Sequence, residues 1–172
     1  MNTKVDQIAD QIYRLSTCIP EVAPGGCQSG RSIRAIPPVD RLTVVPASEA
    51  SWNDLTAILG TTNAGQCQCQ RFKVRGCIWR DSTQEERTGM LCEQTGCDDP
   101  NAATTSGLVG YLDDESVGWV AVEPRTAYFK LRTSRVPWTG RDEDKDDDGI
   151  WAVTCFVVRK GYRGRGLLVL FS

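Results

Sequence analysis

The sequence predicts an α+β domain, and three parts of the chain carry that prediction. Near residue 41, a β-prone stretch is followed at once by a helix that has its own capping residues. Between residues 107 and 122, two β-prone stretches flank a short acidic turn, which predicts a hairpin of antiparallel strands. The stretch 150–158 is the most apolar part of the chain and predicts a central strand buried on both faces.

The first strand and helix are predicted over residues 41–60. Residues 41–45 are rich in β-formers and are closed by Pro46. Ser51 is the predicted N-cap of the helix, Asp54 stands three residues later, where an acid can reach back, and Gly60 is predicted to end it. The helical spacing of apolar residues predicts one buried face, made of Trp52, Leu55, Ile58 and Leu59.

A second helix is predicted over residues 83–95. Ser82 is its predicted N-cap, Glu85 and Glu86 lie in its first turn, where negative charge favours a helix, and Gly96 follows its end. The hairpin downstream consists of predicted strands at 107–112 and 117–122, joined by the turn 113–116.

The amino-terminal part of the chain has a different character. Apolar residues at positions 5, 8, 9 and 12 recur at helical spacing, so residues 4–15 predict a short amphipathic helix, with a strand that ends at Leu15 as the alternative. Prolines and glycines punctuate residues 19–38 and forbid continuous regular structure there. We therefore expect residues 1–40 to be a poorly ordered leader or linker and residues 41–172 to form the domain.

Composition excludes several classes of function. The 172 residues fit one domain, and 40% hydrophobic with 24% charged residues is typical of globular proteins. A formal net charge of -2 without a basic stripe argues against nucleic acid as a partner. No apolar run approaches the roughly 20 residues of a membrane span, and the start lacks a signal-peptide core, so we expect a cytoplasmic protein.

Histidine is absent, so any metal site would have to use acidic or cysteine residues. Asp144, Asp146, Asp148 and Gly149 reproduce the first half of a calcium loop, but Cys155 stands where that loop needs a bidentate glutamate. Thiolates for zinc would have to come from cysteines whose spacing is not that of paired ribbons, namely Cys67, Cys69, Cys77, Cys92 and Cys97. Without an export signal, the eight cysteines are interpreted as reduced packing residues, and no metal is expected.

A glycine-rich basic segment follows the predicted central strand at residues 159–166. Glycines let the backbone approach a ligand closely, and successive amide groups that lead into a helix form a cradle for an anion. The segment therefore predicts a loop that binds pyrophosphate or phosphate, and an ordinary basic turn is the equally weighted alternative.

Residues 151–166, with Tyr162, Arg163, Gly164 and Gly166 in these places, resemble the fourth strand and pyrophosphate loop of the GNAT N-acetyltransferases. The signature of that loop is Arg/Gln-x-x-Gly-x-Gly/Ala. Residues 107–123 resemble the second and third strands of the family, and residues 42–59 resemble its first strand and helix. The resemblance spans residues 41–168 in the family order.

The resemblance implies a cofactor, acetyl-CoA, and the residues that hold it. Backbone atoms of Cys155, Phe156 and Val157 would bind the pantetheine arm. The pyrophosphate would lie on backbone amides of Arg163, Gly164, Arg165, Gly166, Leu167 and Leu168. Glu123, at the end of a strand beside the expected acceptor cleft, is the candidate base, and a solvated strand-end carboxylate is the alternative.

Two departures from the family are visible. Leu168 stands where the signature has Gly or Ala, and the chain ends at Ser172, where the family continues with a helix and further strands. The resemblance therefore implies an incomplete GNAT fold, a mixed and mainly antiparallel sheet flanked by helices that lacks its carboxy-terminal strands and helices. The strand 151–158 would then have an open edge that favours self-association.

Two classes of function stay open from the sequence. The first is an N-acetyltransferase that moves an acetyl group from acetyl-CoA to an unknown amine acceptor, with activity reduced or lost through the truncation. The second is a non-catalytic remnant of that fold that serves as a binding or protein-interaction module.

Overall fold

The computed structural model describes residues 3–9, 12–17, 41–60 and 63–163. These residues form an α+β structure, with a sheet in the order β1-β2-β6-β5-β4-β3. The strands are β1 Thr3–Ala9, β2 Ile12–Thr17, β3 Leu42–Pro46, β4 Gly107–Leu112, β5 Glu115–Pro124 and β6 Trp151–Val158. The α-helices of the described residues are α1 Trp52–Leu59, α2 Gly76–Asp81, α3 Gln84–Thr95 and α4 Phe129–Thr133. Strand β4 is antiparallel to β3, β5 is antiparallel to β4, and β6 is antiparallel to β5.

The predicted strand-helix opening is confirmed. Strand β3 pairs with β4, and a 3-10 turn leads from it to α1. The Ser51 hydroxyl accepts a hydrogen bond from the Asp54 amide at 3.1 Å, which satisfies one of the free donors at the start of α1. Leu55, Ile58 and Leu59 are buried, as the periodicity predicted.

The second predicted helix forms, but its cap is Thr83, and the prediction of Ser82 was wrong. The Thr83 hydroxyl accepts from the Glu86 amide at 3.2 Å, and the Glu86 carboxylate accepts from the Thr83 amide at 2.7 Å. Ser82 instead ends α2, a helix that the sequence did not predict. Both Ser82 with Glu85 and Thr83 with Glu86 fit the capping-box spacing, so the sequence pattern alone does not select between them.

The predicted hairpin is confirmed, and its turn is tighter than expected. Asp113 and Asp114 have φ values of 49° and 65°, the left-handed pair that matches the twist of two antiparallel strands. Aspartate tolerates this conformation better than most residues. The Arg41 guanidinium forms an ion pair with Asp113, which ties the turn to the start of β3.

Strand β6 lies inside the sheet, but the prediction that both its faces are buried was wrong. Ala152 and Val157 are buried, whereas Trp151 is 42% exposed and Val153 to Phe156 are half-buried. Within the described residues, α1 packs against β5 and β6. Leu55, Ile58 and Leu59 of that helix belong to the same buried cluster as Val157. The apolar sequence of β6 therefore goes with its position inside the sheet more than with complete burial of its side chains.

The amino-terminal residues form strands, so the amphipathic helix predicted over residues 4–15 was wrong. Strand β1 pairs with β2, and β2 runs parallel to β6 with Ile12 opposite Trp151 and Arg14 opposite Val153. Pairing with β6 gives hydrogen-bond partners to backbone N–H and C=O groups of β2. A short isolated helix would leave many such groups to water. The rest of the expected leader, 19–38, lies outside the described residues, and the division of the chain at residue 40 stays a prediction.

The core lies between the sheet and α1, with Trp119 of β5 at its centre. Trp119 is 1% exposed and belongs to one buried cluster with Leu55, Ile58 and Val109. Gly107 makes this packing possible, because a Cβ atom there would lie 2.6 Å from the Trp119 ring and 2.2 Å from the Val120 carbonyl oxygen. No helix of the described residues is long and apolar enough to cross a membrane.

We expect Leu55→Ala to lower the free energy of unfolding by about 2–5 kcal/mol, because it leaves a cavity beneath the sheet. Val136→Ala is the control, since Val136 is 65% exposed and should change stability by less than about 0.5 kcal/mol. Urea unfolding followed by tryptophan fluorescence measures both. Equal effects of the two substitutions would contradict the core described above.

Candidate functional site

The residues expected to hold the pantetheine arm lie on β6 next to a bulge. Cys155 is opposite Ala121 and Val153 is opposite Val122, so Thr154 is an extra residue on β6. On the other side, β2 pairs with β6 only from Trp151 to Val153. Among the described residues, no strand covers that edge from Thr154 to Val158, so β6 has a partner at its start and a gap along its second half.

The expectation that β6 has an open edge was wrong for the first residues of the strand. Strand β2 covers the beginning of β6, which the sequence interpretation left without a neighbour. A bulge bends its strand and increases the local twist. Self-association through the remaining edge stays a prediction.

The basic turn after β6 is described as far as Arg163. Gly161 has a φ of 101°, a conformation that side chains other than glycine rarely adopt. The Tyr162 amide donates to the Arg159 carbonyl oxygen at 3.0 Å, and the Arg163 side chain donates to the Val158 carbonyl oxygen at 2.9 Å. The other residues expected to bind pyrophosphate lie outside the described residues, namely Gly164, Arg165, Gly166, Leu167 and Leu168.

Glu123 is held in a largely buried ion pair. Its carboxylate Oε2 lies 2.5 Å from the Lys73 Nζ, and the Lys73 and Glu123 side chains are 6% and 15% exposed. The two atoms are close enough for an ion pair, but their angles do not fit a hydrogen bond. The interpretation of Glu123 as a solvated carboxylate was therefore wrong, and its role as a base stays a prediction.

Lys73 connects this carboxylate to the surrounding elements. Its ammonium group donates to the Gln94 Oε1 at 2.8 Å and to the Ser106 hydroxyl. Gln94 belongs to α3, and Ser106 immediately precedes β4. One cation thus joins three elements around Glu123, as a buried charge requires several partners. Sequence reasoning missed Lys73, because nothing local distinguishes it from a surface lysine.

Tyr128 lies next to the ion pair of Lys73 and Glu123. The residue is fully buried, and among the described residues neither its hydroxyl nor that of Thr154 has a hydrogen-bond partner. Both Thr154 and Glu123 lie beside the phenol, and burial raises its pKa well above the ordinary value. Tyr128 is therefore a neutral phenol at physiological pH. Buried polar atoms normally have partners, so an unpartnered hydroxyl here marks a candidate functional group.

A cavity of about 760 Å³ opens beside Glu123. Its walls come from the end of β3 and the turn after it, from residues before β4, and from the end of β5 and the residues after it. The first residue of β6, Trp151, completes them. Glu123 therefore faces a cavity at one end of β6, while the basic turn lies at the other end. The seven steps from the first to the last of its eight residues, at about 3.3 Å each, put roughly 23 Å between the two ends of the strand.

Among the described cysteines, Cys69 lies in the core. The Trp119 indole donates a hydrogen bond to the Cys69 sulfur at 3.1 Å. A hydrogen bond with Cys155 and, to a smaller extent, burial raise the pKa of the Cys69 thiol. Cys77 and Cys92 are exposed on α2 and α3. No group of three His, Cys, Asp or Glu side chains suited to a metal occurs in the described part of the chain. The zinc hypothesis therefore gains no support.

The acidic segment before β6 is held by protein contacts. The Asp144 carboxylate accepts from the Asp146 amide at 3.0 Å, and Asp146 pairs with Arg132 at 2.5 Å. The Arg125 guanidinium lies 2.8 Å from the Glu143 carboxylate. These contacts give the segment a structural role, and the calcium hypothesis gains no support from the described residues.

Comparison with protein-family models, curated proteins and solved structures gives no significant match to this chain.

We expect Lys73→Met to destabilise the protein by about 3–5 kcal/mol, because it leaves the Glu123 carboxylate buried without a counter-charge. The double variant Lys73→Met with Glu123→Leu should recover most of that loss, since both charges are then removed together. Urea unfolding of the single and double variants measures the coupling. A double variant as unstable as the sum of the two single variants would rule out the ion pair.

We expect Tyr128→Phe to leave stability at pH 7 unchanged or to raise it by up to about 1 kcal/mol, because the lost hydroxyl has no partner. Tyr111→Phe is the matched control, since the Tyr111 hydroxyl donates to the Asp54 carboxylate at 3.0 Å, and its loss should cost about 1–3 kcal/mol. Thermal and urea unfolding distinguish the two.

The effect of Tyr128→Phe on stability is expected to depend on pH. Burial raises the pKa of Tyr128 in the folded protein, so its contribution to stability is complete below the unfolded-state value of about 10 and is lost as pH rises toward the folded value. Tyr128→Phe should therefore reduce the loss of stability above pH 10. An unchanged pH profile would mean that the phenol is solvated.

Proposed function

We propose that this protein is an N-acetyltransferase that uses acetyl-CoA as the donor and an amine as the acceptor. The observation that carries the proposal is the environment of β6. Its first three residues pair in parallel with β2, its second half has a free edge among the described residues, and a bulge lies where the two parts meet. A family resemblance that places the cofactor between the fourth and fifth strands requires a gap of this kind.

The donor would enter this gap from the basic turn. Backbone groups of Cys155, Phe156 and Val157 line the free edge of β6 and have hydrogen-bonding capacity for an extended amide-bearing arm. The turn that begins at Arg159 supplies positive charge for a pyrophosphate, and Gly161 gives it a backbone shape that admits close approach. Strand β2 runs parallel to the first residues of β6 and would occupy the position that the resemblance gives to the strand beside the fourth.

The acceptor would approach from the cavity at the other end of β6. Its amine nitrogen attacks the thioester carbonyl carbon, a C–N bond forms, the C–S bond breaks, and CoA leaves as the thiolate. Glu123 takes the proton that the amine loses and returns it to solvent or to the thiolate. Lys73 is the positioning residue that holds the carboxylate in place inside the protein.

A non-catalytic binding module is the alternative function. The same gap and turn would then hold acetyl-CoA without transfer, because the pyrophosphate cradle would be too weak or the acceptor cavity unused. Release of CoA in the presence of amines distinguishes the two, since binding without release favours the module.

We expect calorimetry to detect acetyl-CoA binding at micromolar concentration and Gly161→Ala to weaken it about tenfold. The substitution introduces no steric clash, so it tests only whether the turn needs the left-handed conformation that glycine allows. Gly89→Ala, which also meets no neighbouring atom and lies in α3, should leave affinity unchanged. Circular dichroism checks that both variants are folded. No binding by the unaltered protein up to millimolar acetyl-CoA would refute the proposal.

A further inference from the structure

We propose that Cys69 and Cys155 form a peroxide-sensitive dithiol, which a hydroperoxide converts into an intramolecular disulfide. Cys155 is the thiol that reacts with the oxidant, and Cys69 is the thiol that completes the bond. The proposed modification site lies in the core and does not depend on the acetyltransferase activity proposed above.

Two segments that are distant in the chain bring these thiols to one face of the sheet. The Trp119 indole of β5 donates a hydrogen bond to the Cys69 sulfur at 3.1 Å, so Cys69 lies against that ring. In the register of β5 with β6, Cys155 is opposite Ala121 and Val157 is opposite Trp119. Side chains two positions apart on a strand point to the same face, so Cys155 lies on the face of the sheet that carries Trp119.

The two thiols interact directly within this part of the core. Each is the hydrogen-bond partner with the largest effect on the pKa of the other. Both belong to one apolar cluster, Cys69 as a buried member and Cys155 packed against it. Interacting thiols need only a short movement to reach the S–S bond length of about 2.0 Å. Cys69 lies in the turns of residues 67–73, so this movement does not have to break a helix or a strand.

The two thiols differ in exposure and in reactivity, which gives each of them its role. Cys69 is 4% exposed, whereas Cys155 is half-buried and therefore more accessible to a small oxidant. The hydrogen bond with the Cys69 thiol lowers the pKa of Cys155 below the ordinary value of a cysteine. Because the thiolate is the nucleophilic form of cysteine, Cys155 is the thiol that attacks the peroxide.

The reaction balances with a hydroperoxide as the oxidant. The Cys155 thiolate attacks one peroxide oxygen, an S–O bond forms, the O–O bond breaks, and hydroxide leaves when the oxidant is hydrogen peroxide. The Cys69 sulfur then attacks the sulfenic sulfur of Cys155 and an S–S bond forms. The sulfenic hydroxyl group leaves as water with the proton of the Cys69 thiol. The two sulfurs lose two electrons in total, and these electrons reduce the peroxide.

The test treats the reduced full chain at low concentration with hydrogen peroxide and maps the products by peptide mass spectrometry. We expect a product that has lost two hydrogen atoms and contains a Cys69–Cys155 disulfide, which dithiothreitol reduces again. Cys92, an exposed cysteine of α3, is the internal reference. Cys155 should be oxidised about tenfold faster than Cys92, because Cys69 favours its thiolate form.

Cys69→Ser removes the second thiol, keeps a hydrogen-bond donor and should stop the reaction at the sulfenic acid. We expect labelling of Cys155 by dimedone, a reagent that traps sulfenic acids, to rise about tenfold over that of the unaltered protein. Cys92→Ser is the matched control and should leave both the disulfide and the labelling unchanged. Unfolding curves verify that the variants fold, and the map of the unaltered protein tests the pairing without any variant.

A map in which Cys155 pairs with Cys67, or in which no disulfide joins Cys69 and Cys155, would overturn the inference. Oxidation of Cys155 that is no faster than that of Cys92 would do the same, as would a folded Cys69→Ser variant without dimedone on Cys155. Acetyl-CoA binding is measured separately, so these outcomes leave the proposed function to its own test.

Discussion

The ion pair between Lys73 and Glu123 fixes the part of the molecule on which the candidate site depends. It joins the segment before α2 to the end of β5, and through Gln94 and Ser106 it also holds α3 and the start of β4. Charges removed from water need partners of good geometry, so these elements have little freedom to move apart. Glu123 is thereby held at the edge of a cavity instead of being free in solvent.

The second organising feature is the change of partner along β6. Within the described ranges, the strand is paired on both sides at its start and on one side beyond Val153, with a bulge at the transition. Backbone groups along the free edge are available to a ligand, as in other cases where a peptide-like chain adds to a sheet. The cavity and the basic turn lie at opposite ends of this strand, so a donor and an acceptor can approach one another without competing for the same entrance.

Local patterns predicted the elements whose signals are self-contained. Ser51 with Asp54, and Asp113 with Asp114, specify a cap and a turn within a few residues, and the structure has both. The predictions that failed depended on distant partners. The amino-terminal apolar pattern fits a helix in isolation, but pairing of β2 with β6 makes strands the better solution, and no local signal contains that pairing.

The sequence by itself determined the α+β class, the antiparallel hairpin and the strand before the basic turn, because each rests on periodicity or on contacts near in the chain. Only the tertiary structure decided that Glu123 is buried with Lys73, that Tyr128 keeps an unused hydroxyl beside it and that β2 flanks β6. Lys73 and Glu123 are 50 positions apart, and burial, charge pairing and cavity shape arise only when such distant segments pack together.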